Sequence, residues 1–165
     1  MLATPSDALA TTLVASQKLF HRYLDDLKPE HFAHQPMPGV NSAAWVVGHL
    51  ALTDRRMLAN RLGVTDLPPL PAGFEERFAA TRAAAGTQAD LGDSAELVAL
   101  FDAHRSRLIE AVRAAPVDVL NRPLDAPHPL FATVGEAAGF MAVHTAMHLG
   151  QVTVIRRSLG YPPVA

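Results

Sequence analysis

No cysteine occurs in the 165 residues. That excludes disulfides, thiolate metal ligands and a cysteine nucleophile, so any soft chemistry must use histidine or a thiol supplied by a substrate. Block charge is missing as well: 14 basic and 16 acidic residues are interspersed, which leaves no electrostatic footprint for gripping a phosphate backbone. Nucleic acid is not an expected partner. Long apolar runs are absent too. The opening "MLATPSDALATTLVASQKLF" lacks a basic leading segment and is interrupted by Asp7, Gln17 and Lys18, so it reads as neither a secretion signal nor a membrane span. The expected location is the cytoplasm, with no membrane partner. What the chain does have is 49% hydrophobic residues, enough for one sizeable core, and its length suits a single domain over residues 1–165.

Nowhere does the sequence sustain the alternating pattern of a strand, and four segments carry apolar residues at helical spacing instead. The first opens after Pro5, with Ser6 in the capping role, and aligns Leu9, Leu13, Ser16, Phe20, Leu24 and Leu27. "LKPEHFAHQPMPGV" follows, and its three prolines break helical hydrogen bonding. A second helix starts at Asn41 or Ser42, turns Trp45, Val46, His49, Leu50, Thr53 and Met57 inward, and stops at Gly63. From Gly63 to Gly92 the pattern is weak: "DLPPLPAG" reads as extended, "FEERFAATRAAA" as a short helix and "GTQADLGD" as loop. Asp93 and Glu96 then open a third helix bearing Leu97, Leu100, Phe101, His104, Leu108, Val112 and Ala115. Thr133 and Glu136 open a fourth, with Val134, Ala137, Ala138, Met141, His144, His148, Val152, Ile155 and Leu159 on one face. The expected fold is all-α, a four-helix bundle with a long excursion between its second and third helices.

Two histidines on the fourth stripe stand out. Residues four apart on a helix have β-carbons roughly 5–6 Å apart, so His144 and His148 can reach one ion. Eight histidines in 165 residues give about 0.3 such pairs by chance, so the spacing alone is a weak motif. Their place on a core stripe adds weight, because an unpartnered buried polar group costs roughly 1–3 kcal/mol and a shared cation removes that cost. His49, on the apolar side of the second helix, is a third candidate ligand. Spacing leaves two readings open: a His49, His144, His148 metal triad, or ordinary core and boundary histidines. His104 reads as a core histidine bonded to a carbonyl, with a fourth-ligand role as the alternative. Gln151, three residues beyond His148, is a candidate partner for a ligand or simply an interhelical hydrogen bond. His21, His31, His34 and His128 read as surface or turn residues, Asp54, Arg55 and Arg56 as a solvated charge run with one of them at a pocket mouth as the alternative, and Trp45 as core packing.

With these residues assembled, the chain resembles the DinB-like superfamily of four-helix metalloproteins, which includes bacillithiol- and mycothiol-dependent S-transferases. The resemblance is carried by "NSAAWVVGHL" and by "HTAMHLGQVTVIRRSLGYPP", with its H-x-x-x-H-x-G-Q order and closing Leu-Gly-x-Pro-Pro. It implies that His49, His144 and His148 bind a divalent metal, that the bundle has a long second connection, and that the protein is a homodimer. One position departs from the family. Many members have a second histidine directly before the one at 148, where this chain has Met147.

Three imidazoles with open coordination positions make a Lewis acid that activates either a bound water or a thiol held as thiolate. The expectation is a metal-dependent enzyme transferring a low-molecular-weight thiol to an electrophilic small molecule. The alternatives are a metal-dependent hydrolase and a non-catalytic bundle that binds metal or a small molecule. Zinc or nickel suits the donors best, with iron or manganese as further options. Catalytic groups beyond the metal ligands are not identifiable from spacing.

Overall fold

The computed structural model describes residues 4–79, 88 and 90–164. Its described residues form helices α1 (Pro5–Leu24), α2 (Ala43–Arg61), α3 (Phe74–Phe78), α4 (Ser94–Ala114), α5 (Val117–Asn121) and α6 (Val134–Ser158), with a short 3-10 turn at Pro29–His31. No strand occurs among them; Pro123 and Thr133 form an isolated bridge. The four long helices, α1, α2, α4 and α6, are those that the apolar stripes predict. No described helix is long and apolar enough to cross a membrane.

Local chemistry sets the helix starts. Thr4 caps α1 rather than Ser6: its hydroxyl accepts from the Asp7 amide at 3.1 Å, and the Asp7 carboxylate accepts from the Thr4 amide at 3.2 Å. Pro5 sits at the first helical position, where its missing N–H costs nothing. Ser6, one step inside, instead donates to the Ala115 carbonyl at 2.7 Å and ties the start of α1 to the end of α4. Ser42 caps α2 through the Trp45 amide, Asp93 caps α4 through the Ala95 and Glu96 amides, and Thr133 caps α6 through the Glu136 amide. Each of these three caps is where the sequence places it. Gly63, at φ +69°, supplies the left-handed turn after α2.

α1 packs against α4 and α6, and α2 packs against α4 and α6, closing a four-helix ring. Two apolar clusters fill it. One gathers Phe20, Trp45, Leu50, Phe78, Phe101, Val152 and Ile155; the other gathers Leu13, Met57, Leu58, Leu108, Val112, Ala138 and Met141. The single inward stripe expected for α2 understates its burial, since every residue from Asn41 to Leu52 is buried. Phe78 of α3 packs directly on α2: its aromatic carbons lie where a β-carbon on Gly48 would stand. Of the short helix expected in "FEERFAATRAAA", Phe74–Phe78 is helical and residues 80–85 lie outside the described set. The short α5 carries no apolar stripe long enough to be read in advance.

Asp54 corrects the sequence reading most sharply. It was expected on a solvated face with Arg55 and Arg56, yet it is wholly buried, as is Arg105 of α4. The Arg105 guanidinium grips the carboxylate with two bonds, from Nε to Oδ2 at 2.6 Å and from Nη2 to Oδ1 at 3.1 Å. It also donates to Ser16 Oγ of α1 at 3.0 Å and to Thr145 Oγ1 of α6 at 2.9 Å. One side chain thus bonds to all three other long helices.

Candidate metal centre

His49 enters the site from the middle of α2 with its orientation fixed. Its Nδ1 donates to the Phe78 carbonyl at 2.8 Å, so Nε2 carries the lone pair and turns inward. Gly48 makes this possible, because only a residue without a side chain lets the Phe78 ring, and with it the Phe78 carbonyl, sit so close to α2. Trp45, one turn earlier, stacks on the His49 ring with centroids 4.6 Å apart and planes 11° apart. The indole is therefore a wall of the site as well as part of the core.

His144 and His148 come from successive turns of α6. Their Nε2 atoms lie 3.0 Å apart, and their rings sit 5.2 and 5.1 Å from the His49 ring. One nitrogen from each of the three histidines falls within 4.8 Å of the others. His148 Nδ1 donates to Gln151 Oε1 at 3.3 Å, which directs its Nε2 inward as the Phe78 carbonyl does for His49. Phe140 stacks on His144 from the preceding turn at 5.9 Å.

Burial holds all three imidazoles neutral. It pushes His144 down to about 3, helped by the neighbouring His148 and His49, and pushes His148 down to about 4, helped by His49. Burial lowers His49 as well. Protons therefore do not compete for these nitrogens near neutral pH, which is the state that metal ligation requires. Without a shared ion, the two Nε2 atoms at 3.0 Å need a proton between them. His144 Nδ1 is buried with no partner. Three convergent neutral nitrogens, two of them oriented by oxygen acceptors on the far ring atom, fit a divalent cation of the kind imidazole favours.

Gln151 does both things that the sequence left open. Besides serving His148, its Oε1 accepts from Asn41 Nδ2 at 3.3 Å, and Asn41 Oδ1 accepts from Gln88 Nε2 at 3.1 Å. Gln88 Oε1 in turn accepts from the Ser42 amide at 2.6 Å, and its own amide donates to Gln35 Oε1 at 3.0 Å. Nothing in "GTQADLGD" announces that Gln88 is buried at the start of α2, and Asn41 was read only as a cap. His104 does not join the three-histidine group. It is 2% exposed with neither ring nitrogen partnered, so the expected carbonyl bond is not made. His21 instead bonds Asp102 at 2.7 Å, His31 meets the Tyr161 hydroxyl at 2.8 Å, His34 meets Ser158 at 3.0 Å, and His128 stacks on Phe131.

A family model for the DinB superfamily matches residues 12–152. The chain belongs to the DinB superfamily. No curated protein matches it significantly. The DinB match runs from within α1 through most of α6 and so contains all three histidines. Met147, the departure from the DinB pattern, is 61% exposed on the outer face of α6, so the missing imidazole takes nothing from the cluster.

Proposed function

We infer that this DinB protein is a divalent-metal-dependent enzyme that transfers a low-molecular-weight thiol to an electrophilic small molecule. The observation that carries the reading is the convergence of three neutral imidazoles, two of them locked by oxygen acceptors, in a chain with no cysteine of its own. His49, His144 and His148 would hold a divalent ion, which would supply the Lewis acidity that lowers a thiol's pKa toward neutrality. The chain's own residues do the rest. The Phe78 carbonyl and Gln151 fix the rings, while Trp45 and Phe140 stack against them and keep water from their faces. No carboxylate belongs to the described group, which favours thiol transfer over a hydrolysis that needs a general base. The Arg105 network already joins the long helices, which favours a centre that does more than staple the bundle. Zinc or nickel is the proposed ion. A homodimer is part of the reading, supported by the exposed Val143, Met147 and Val154 on the outer face of α6.

The test is to load the protein with zinc or nickel and offer it bacillithiol, mycothiol and glutathione, each with monochlorobimane. Metal-dependent adduct formation with one thiol is expected, and it should vanish in His148→Ala. A protein that binds metal stoichiometrically yet consumes no thiol overturns the transferase.

A further inference from the structure

Along the seam between α2 and α6, the three histidines divide two unlike ends. Toward the start of α2, the side-chain amides of Asn41, Gln88 and Gln151 are linked by hydrogen bonds. Toward its other end lies a cavity of about 280 Å³. Thr53, one turn past His49, and Met141, one turn before His144, line it, and Met57 adds to its apolar floor. An aromatic wall joins cavity to histidines: Phe131 lines the cavity and packs on Phe140 at 5.3 Å, and Phe140 stacks on His144 at 5.9 Å. Arg56 and Arg61 stand at the outer lining. Their acidic neighbours hold them weakly. Glu75 meets Arg56 at 3.2 Å with both side chains about half exposed, and Asp125, 94% exposed, is 4.0 Å from Arg61.

We propose that this cavity binds a small molecule with an apolar body and a carboxylate head, the body on Met57, Met141 and Phe131 and the head on Arg56 and Arg61. A methionine floor adapts to varied apolar shapes. Guanidinium groups bind carboxylate through charge-assisted, often paired hydrogen bonds, and an incoming ligand carboxylate need only displace two solvent-exposed acids. Such a ligand lies with its far end one helical turn from the histidines, where a substrate of the centre belongs. Its role as substrate rests on the metal-enzyme reading; its binding does not.

The probes are 2-naphthoate and its neutral counterpart 2-naphthalenemethanol, titrated by calorimetry into the full chain with and without zinc. Naphthoate should bind both forms about tenfold or more tighter than the alcohol, the difference one charge-assisted contact makes. The double variant Arg56→Gln, Arg61→Gln should bring naphthoate down to the level of the alcohol. Met141→Trp should fill the cavity and abolish binding of both, and Phe131→Ala, at a partly buried position, gives a second route to weakened binding should Met141→Trp fail to fold. Equal affinity for the two probes, indifference to the arginine pair, or no binding at all overturns the proposal. Zinc stoichiometry measured on the same samples separates the two readings: a chain that binds naphthoate but not zinc keeps the cavity and loses the metal centre, and the reverse result does the opposite.

Discussion

Two polar clusters are buried in the bundle within a few residues of each other, and they use their bonding capacity very differently. Around Arg105 each group is matched: Asp54 receives two bonds, Ser16 and Thr145 receive one each, and the Thr145 hydroxyl passes on to the Met141 carbonyl at 2.9 Å. Around His144 the account stays open, with Nδ1 unpartnered and two Nε2 atoms facing each other at 3.0 Å. A saturated buried network fixes how helices meet, and it has nothing left to offer a ligand. An incomplete one holds nitrogens that can exchange a shared proton for an ion. The bundle thus separates the polar group that holds it together from the polar group available for chemistry, though His144 and Thr145 are adjacent in the chain.

The comparison breaks most visibly at Asp54. Asp54→Ala leaves a buried guanidinium without its counter-charge, and we expect a loss of about 3–5 kcal/mol in urea unfolding at pH 7. The double variant Asp54→Leu, Arg105→Met should lose less than the single one, because no charge is then stranded. A single-variant loss below about 1 kcal/mol would mean that water reaches the pair and that it is not the frame described. His148→Ala should show the opposite profile. Its zinc content, read by elemental analysis, should fall far below one per chain, while circular dichroism of the metal-free protein stays helical. Melting of wild-type protein on chelation would instead make metal binding and folding one event and return the centre to a structural role.

Gln151 sharpens the contrast within the histidine cluster. Gln151→Ala removes the acceptor that directs His148 and should weaken zinc binding about 10–100-fold in a chelator competition, the usual effect of losing a partner to a metal ligand. Gln151→Glu keeps an acceptor and should retain affinity. Equal affinity in all three proteins would leave Gln151 only its bond to Asn41.

How much of this was legible follows from what each feature depends on. Three of the four caps and all four long helices depend on local spacing, and they stand where the sequence puts them. His49, His144 and His148 were readable as candidates because helical periodicity sets their faces, but their convergence depends on how α2 meets α6, and for that the family resemblance carried the reading. Asp54 was misread because a charge beside Arg55 and Arg56 looks solvated, and its true partner is 51 residues away. The same holds for Gln88, which reaches Asn41 from 47 residues away. Helical period finds a face; it does not find who stands opposite.

The smallest expected effect tests His104, a buried histidine that belongs to neither cluster. His104 is 2% exposed, and both its nitrogens lack partners. Burial, helped by the charge of Arg55, holds it down to about 4 from the usual 6.5. Below pH 6.5 the unfolded chain takes up a proton that native His104 refuses, so its contribution is fully present above that pH and is lost as pH falls from 6.5 toward 4. His144 and His148 push the same way, so wild-type slope alone does not isolate it. His104→Leu does. Replacing an unpartnered buried imidazole with an apolar side chain should stabilise the metal-free protein by about 1 kcal/mol at pH 7, and by more at pH 5, where the variant has no proton to exclude. Urea unfolding at both values measures this, and zinc affinity should be unchanged. A variant that is less stable and also binds zinc more weakly would make His104 a fourth contributor to the metal centre and end the separation between frame and site at that position.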